Sequence, residues 1–149
     1  MSFYSVNQEN FPIIKIVLKG DITDKALNEF FDIWLSFYKK EKKFYLLFDI
    51  CNVNNPSIKH SFQLARFIQK IKEKNPQYLK KSILILNNNY ILRKIMGLVF
   101  TITSPAAPLY LYWKQEYETN INNDTIQEIF ERKMINSKKF CHNFNIIKY

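Results

Sequence analysis

Glycine occurs only twice, at Gly20 and Gly97. So few glycines build neither a dinucleotide-binding GxGxxG turn nor a Walker loop, and no GxSxG nucleophile elbow is present. Cysteine also occurs twice, at Cys51 and Cys141. The two are far apart and neither belongs to a CxxC pair, which excludes a disulfide-stapled miniprotein and fits free thiols in an intracellular protein. Histidine is limited to His60 and His142. Apart from the adjacent Cys141-His142, no ligand pair has zinc-site spacing, and no Cys–His nucleophile pair stands out. No metal site, no cofactor and no catalytic residue is therefore expected, and the chain reads as non-enzymatic. Long apolar runs are missing as well. The most apolar stretch, Tyr90 to Ala107, is interrupted by Arg93 and Lys94 and is too short to span a bilayer. The first residues carry no charged segment followed by an apolar run, so no secretory signal is visible and a cytoplasmic location is expected. Without such a signal, the sequon Asn123-Asp124-Thr125 reads as chance.

What is present describes a folded domain. The chain has 149 residues, 47% hydrophobic and 16% aromatic, too apolar for disorder and too short for two full domains. The net charge is +9, yet arginine is confined to Arg66, Arg93 and Arg132. Base readers favour arginine for its planar fork, so nucleic acid is not the expected partner. Abundant Lys, Asn and Ile with scarce Gly is the codon bias of an AT-rich genome. The charge is nevertheless uneven. After Glu131 come Arg132, Lys133, Lys138, Lys139 and Lys148 with no acid, interleaved with Phe140, Phe144 and Tyr149. That tail either packs its aromatics on the domain, leaving its lysines in water, or lies on an anionic membrane surface, with Arg132, Lys133, Lys138 and Lys139 as contacts.

Hydrophobic periodicity divides the rest. Ser2–Gln8 alternates loosely and reads as an edge strand. Phe11–Lys19, rich in β-branched residues and closed by Gly20-Asp21, reads as a second. Thr23 is an N-cap for a helix carrying Leu27, Phe30, Phe31, Trp34, Phe37 and Tyr38, which should end in Lys39–Lys43. Phe44–Ile50 is a nearly continuous apolar run, as in a strand covered on both faces, followed by an Asn-rich loop to Pro56. Ser57 caps a second helix with Ile58, Phe62, Ala65, Ile68 and Ile71, closing near Asn75-Pro76. Ser82–Leu86 is a further strand. A well-buried third helix is expected from Tyr90 to Thr103, around Ile95, Leu98, Val99 and Ile102. Leu109–Trp113 is a strand, and a fourth helix is expected from Asn123 or Asp124 to Ile135. The order β-β-α-β-α-β-α-β-α means an α/β domain over residues 1–135, with a mostly parallel sheet flanked by helices and a basic, aromatic tail over 136–149.

Three residues are candidate regulatory or partner contacts. Asp49 is the only charge in its apolar run and is placed at the carboxyl end of a central strand, where ligands gather in open α/β sheets. It contacts a ligand, orients the next loop, or accepts backbone N–H bonds in the Asn-rich turn. Ser57 stands at a helix N-terminus, suited to a phosphate or simply to capping. His60, one turn further on, reads as a surface or interface residue. The aromatic stripes on the first helix and the last strand are core, cavity lining or a docking patch.

The opening strand pair, the strand Phe44–Ile50, the loop to Ser57 and the later strand-helix-strand resemble STAS domains of the anti-sigma-factor antagonist type. Asn75-Pro76-Gln77-Tyr78-Leu79-Lys80-Lys81-Ser82-Ile83-Leu84-Ile85-Leu86-Asn87, with the following helix and Pro105, resembles CRAL-TRIO domains, which are similar in fold. The STAS likeness implies a non-enzymatic module that docks on a partner protein and is switched by phosphorylation of a serine near the position of Ser57. The sequence Asn54-Asn55-Pro56-Ser57-Ile58 has neither the Asp nor the Gly of that family's turn. The CRAL-TRIO likeness implies a lipid held in an apolar pocket. The two make different predictions. An interaction module has no cavity and an exposed patch near Ser57 and the second helix. A lipid binder has the cavity and binds lipid or an anionic membrane surface.

Overall fold

The run Phe44–Ile50 has too few polar side chains to face water, and the fold is built around it. In the computed structural model, which describes residues 3–87 and 89–113 together with 135–136, this run lies at the centre of β3 (Phe44–Asn54). Around it stand β1 (Tyr4–Asn7), β2 (Ile13–Asp21), β4 (Leu79–Leu86), β5 (Leu109–Trp113) and the short β6 (Ile135–Asn136). The strands are ordered in the sheet as they are in the chain. β2 to β5 are parallel, while β1 and β6 run antiparallel at the two edges. The chain is thus α/β with a mixed sheet.

Three helices form the crossovers: α1 (Asp24–Tyr38), α2 (Ile58–Lys72) and α3 (Tyr90–Ile102). Parallel crossovers are right-handed, and strands added in one direction therefore place every helix on the same face. The packing follows this rule. Ile14, Ile16, Leu46, Phe48, Leu84 and Leu111 share one core with the buried faces of the helices. Alternate residues (Leu47, Cys51, Ile83, Ile85 and Tyr112) form a second cluster on the other face, and no described helix contributes to it. Leu47 and Ile85 are nonetheless fully buried.

Aromatic rings join the helix layer to the sheet. Trp34 of α1 lies 5.1 Å from Phe48 of β3 and 5.1 Å from Phe67 of α2. Phe31 stacks on Phe67 at 4.2 Å, and Tyr38 meets Phe44 edge-on at 5.1 Å. Such contacts add about 0.5–1.5 kcal/mol each beyond the area they bury.

Several boundaries differ from the sequence reading. β3 continues to Asn54, through residues expected to be loop. A register shift in its pairing with β2, where Val17 faces Asp49 but Lys19 faces Asn52, accommodates one extra residue. α1 ends at Tyr38, with Lys39 as its C-cap, so the lysine run follows the helix. α2 ends at Lys72, three residues before Asn75. α3 is less buried than its apolar sequence implies. Of the expected core positions only Val99 is fully enclosed, while Tyr90 and Ile91 are exposed. It packs on α2 and the sheet along one side only. The expected fourth helix lies outside the described residues except for Ile135, which opens β6. Asn136 pairs with Tyr110, so the sheet extends one residue past the expected domain boundary.

Burial raises the Tyr38 phenol well above the ordinary tyrosine range, and its hydroxyl donates to Gln77 Oε1. A raised phenol pKa costs nothing below the ordinary value of about 10. Above it the unfolded chain ionises and the folded one does not, so stability falls as pH rises. Tyr38→Phe should cost about 1 kcal/mol near neutral pH through the lost hydrogen bond. In urea titrations of both proteins that gap should narrow above pH of about 10. A gap independent of pH would show that Tyr38 ionises as freely folded as unfolded.

Candidate functional site

All three helices begin at the carboxyl edge of the parallel strands, and their caps are set by sequence. Thr23 Oγ1 accepts from Ala26 N–H at 3.1 Å, and Asn89 Oδ1 accepts from Leu92 N–H at 3.0 Å. Ser57 Oγ accepts from His60 N–H at 3.4 Å and lies 3.0 Å from His60 Nδ1. With the hydroxyl donating to Nδ1, the imidazole carries its proton on Nε2. Lys59 Nζ bonds Asp24 Oδ2 at 2.7 Å and ties the first turns of α1 and α2 together. That ammonium, with Gln63, holds the Asp24 carboxyl below the ordinary carboxylate range.

A cavity of about 110 Å³ lies between the helix layer and the sheet. It reaches from Val53 and Pro56 at the carboxyl edge of the strands to Leu79 and Pro105 at the amino edge. Trp34, Phe48, Leu84, Met96, Val99 and Leu109 are among its lining residues, and His60, Ser61 and Ser82 supply most of its few polar groups. One water needs only about 10–15 Å³ of such space, so the cavity is several waters large, yet its wall offers them few partners. At about 24 cal/mol per Å³, an enclosed void of this volume would cost about 2–3 kcal/mol, which is the upper bound for a pocket partly open to solvent. That is a substantial share of the roughly 5–15 kcal/mol by which domains are stable.

Two polar details mark the wall. Ser61 is fully buried, and its Oγ bonds the Ser57 carbonyl at 3.4 Å and the Ile95 carbonyl at 3.3 Å, joining α2 to α3. Trp34 is buried among the rings of Phe30, Phe48 and Phe67, and its indole N–H has no acceptor. A buried donor left unmade costs about 1–3 kcal/mol.

The structure brings together two of the three residues singled out in the sequence. Ser57 and His60 touch, and His60 lines the cavity rather than standing free on the surface. Asp49 is elsewhere. It sits within β3 rather than at its end, alternates with Leu47 and Cys51 toward the face away from the helices, and is buried. Its Oδ1 accepts from Cys51 N–H at 3.0 Å, a local bond beside the register shift. Arg132, Lys133, Lys138 and Lys139 lie outside the described residues. So does the Cys141-His142 pair. Among the described residues, no group of three or more His, Cys, Asp or Glu side chains could hold a metal ion, and no helix is long and apolar enough to cross a membrane.

The sequence reading did not single out Ser61, Ser82 and Met96 as lining residues. Trp34 and Phe30 were legible as an aromatic stripe that could be core or cavity, and they are both. Comparison with protein-family models, curated proteins and solved structures finds no match to the chain.

If Ser57 acts chiefly as a cap, Ser57→Ala should lower stability by about 0.5–2 kcal/mol, and Ser57→Asn should restore most of it. Equal losses in the two variants, read by chemical denaturation, would assign the hydroxyl a role other than capping.

Proposed function

We propose that this chain is a non-catalytic binding domain that holds an apolar, lipid-class ligand between its helix layer and its sheet. The cavity carries this reading: it is apolar and lined by side chains from three helices and four strands. Ligand sites of this kind are mostly apolar with a few placed polar groups. His60 and Ser82 are the polar side chains of the wall not already sealed into the helix layer. The similarity of residues 75–113 to CRAL-TRIO domains supports the same ligand class, and sequential parallel strands with helices on one face are compatible with it. Among the described residues the Ser57–His60 pair has no carboxylate hydrogen-bonded to it, and Ser57 serves as a helix cap, which favours binding over catalysis.

The STAS-like interaction module is the second reading. One observation favours it: Ile58, next to Ser57, and Phe62, one turn further along α2, are exposed. It expects no cavity, and on that point the geometry favours the ligand-binding reading.

Native mass spectrometry of protein purified from cells should show extra mass that disappears on denaturation and extracts as lipid. Ala107→Leu, which places a larger side chain in the wall, should reduce the ligand-loaded fraction severalfold while leaving the protein folded. Wild-type protein with a clean apo mass, and no thermal stabilisation by added fatty acid or phospholipid, would refute the proposal.

A further inference from the structure

The carboxyl edge carries a feature the cavity does not use. Ile58 and Phe62 in the first two turns of α2 are 61% and 46% exposed, and Tyr90 and Ile91 at the start of α3 are 61% and 60% exposed. Among the described residues these four are the exposed large hydrophobic side chains. They are not scattered. The bond from Ser61 Oγ to the Ile95 carbonyl holds α2 and α3 side by side, so the two first turns share one edge of the domain. Single exposed apolar residues are ordinary, but four on adjacent helix starts form an interaction surface.

Acids are scarce around them. Between Asp49 and Glu116 the only acid is Glu73, which is the C-cap of α2 and so lies at the opposite end of that helix. The first turns of α2 and α3 contain no acidic residue. Lys59 and Lys94 flank the apolar side chains, and Lys94 Nζ lies over the Tyr90 ring at 4.5 Å. Asp21 at the end of β2 and Asp24 at the start of α1 are engaged, Asp24 by Lys59 at 2.7 Å and Asp21 by Asn55 Nδ2 at 2.9 Å.

We infer that this edge docks on an anionic phospholipid bilayer, with Ile58, Phe62, Tyr90 and Ile91 entering the interface and Lys94, whose ammonium lies over Tyr90, facing the headgroups. A bilayer supplies in one surface the two things the edge requires, an apolar phase for the four side chains and anionic charge for an acid-poor surround. Tyr90, with an apolar ring and a polar end, is of the type that settles at such a boundary. The edge is also continuous with the cavity. Pro56, His60 and Ser61 of the cavity wall alternate in sequence with Ile58 and Phe62. Docking here would set one end of the cavity against the source of an apolar ligand. The inference goes beyond the ligand-binding reading and stands on exposure and charge alone.

The test is co-sedimentation of the full chain with vesicles of phosphatidylcholine containing about 30% phosphatidylserine. Binding should be clear at low salt, weaken severalfold as salt rises toward about 0.5 M, and be slight on phosphatidylcholine alone. The double variant Ile58→Ser, Ile91→Ser changes only exposed side chains and should keep its thermal midpoint while losing at least about tenfold in vesicle affinity. Wild-type protein that stays in the supernatant at low salt overturns the inference and leaves the edge to a protein partner. Vesicle binding that is unchanged in the variant overturns it as well and assigns binding to another surface. Native mass spectrometry of the variant reads the cavity independently. A loaded variant that cannot bind vesicles, or an empty wild type that can, separates failure of one proposal from failure of the other.

Discussion

Right-handed crossovers between strands laid down in sequential order are the constraint on which the rest of this structure depends. Each crossover returns its helix to the same side of the sheet. α1, α2 and α3 therefore share one face, and every described helix N-terminus opens at one edge. From that single geometric fact come the aromatic seam, the cavity beneath the helices and the exposed rim of α2 and α3. The same fact leaves the other face of the sheet, with Leu47, Ile83 and Ile85, without a described helix against it.

Within the helix layer, close packing and open space are held next to each other. At one end of the layer Tyr38, Phe37 and Phe44 pack tightly. Nearer the other, Phe30, Trp34 and Phe48 make ring contacts on one side and bound the cavity on the other. Interiors are normally filled to the density of organic crystals, so a void of this size is a departure that the surrounding core must offset. A ligand that filled it would remove that penalty and stabilise the fold by an amount that grows with the logarithm of its concentration over Kd.

The polar groups fall into two sets for a physical reason. Asp49 and Cys51 are consumed by the backbone of β3, where an irregular pairing leaves an N–H to be satisfied. Ser57 is consumed in part by the start of α2. His60 and Ser61, one turn further along, face inward because helical periodicity brings them to the buried side together with Leu64 and Ile68. Lys59 on the intervening position points outward to Asp24.

The sequence by itself determined the alternation of strands and helices, the caps at Thr23 and Ser57, the central apolar strand and the parallel core of the sheet. These are local properties: periodicity, hydroxyl capping and β-branched content act over a few residues. It left β3 short because Asn52 and Asn54 look like loop, whereas the pairing of Val53 and its neighbours with β2 extends the strand. It made α3 a buried helix because composition reports how apolar a segment is, not which of its sides a neighbour covers. Only the tertiary structure decided that Asp49 faces away from the helices while His60 lines the cavity. The cavity itself, and the rim formed by Ile58, Phe62, Tyr90 and Ile91, were also settled only there. These depend on where distant elements meet, and an apolar side chain reads the same in sequence whether it fills a core, borders a void or faces solvent.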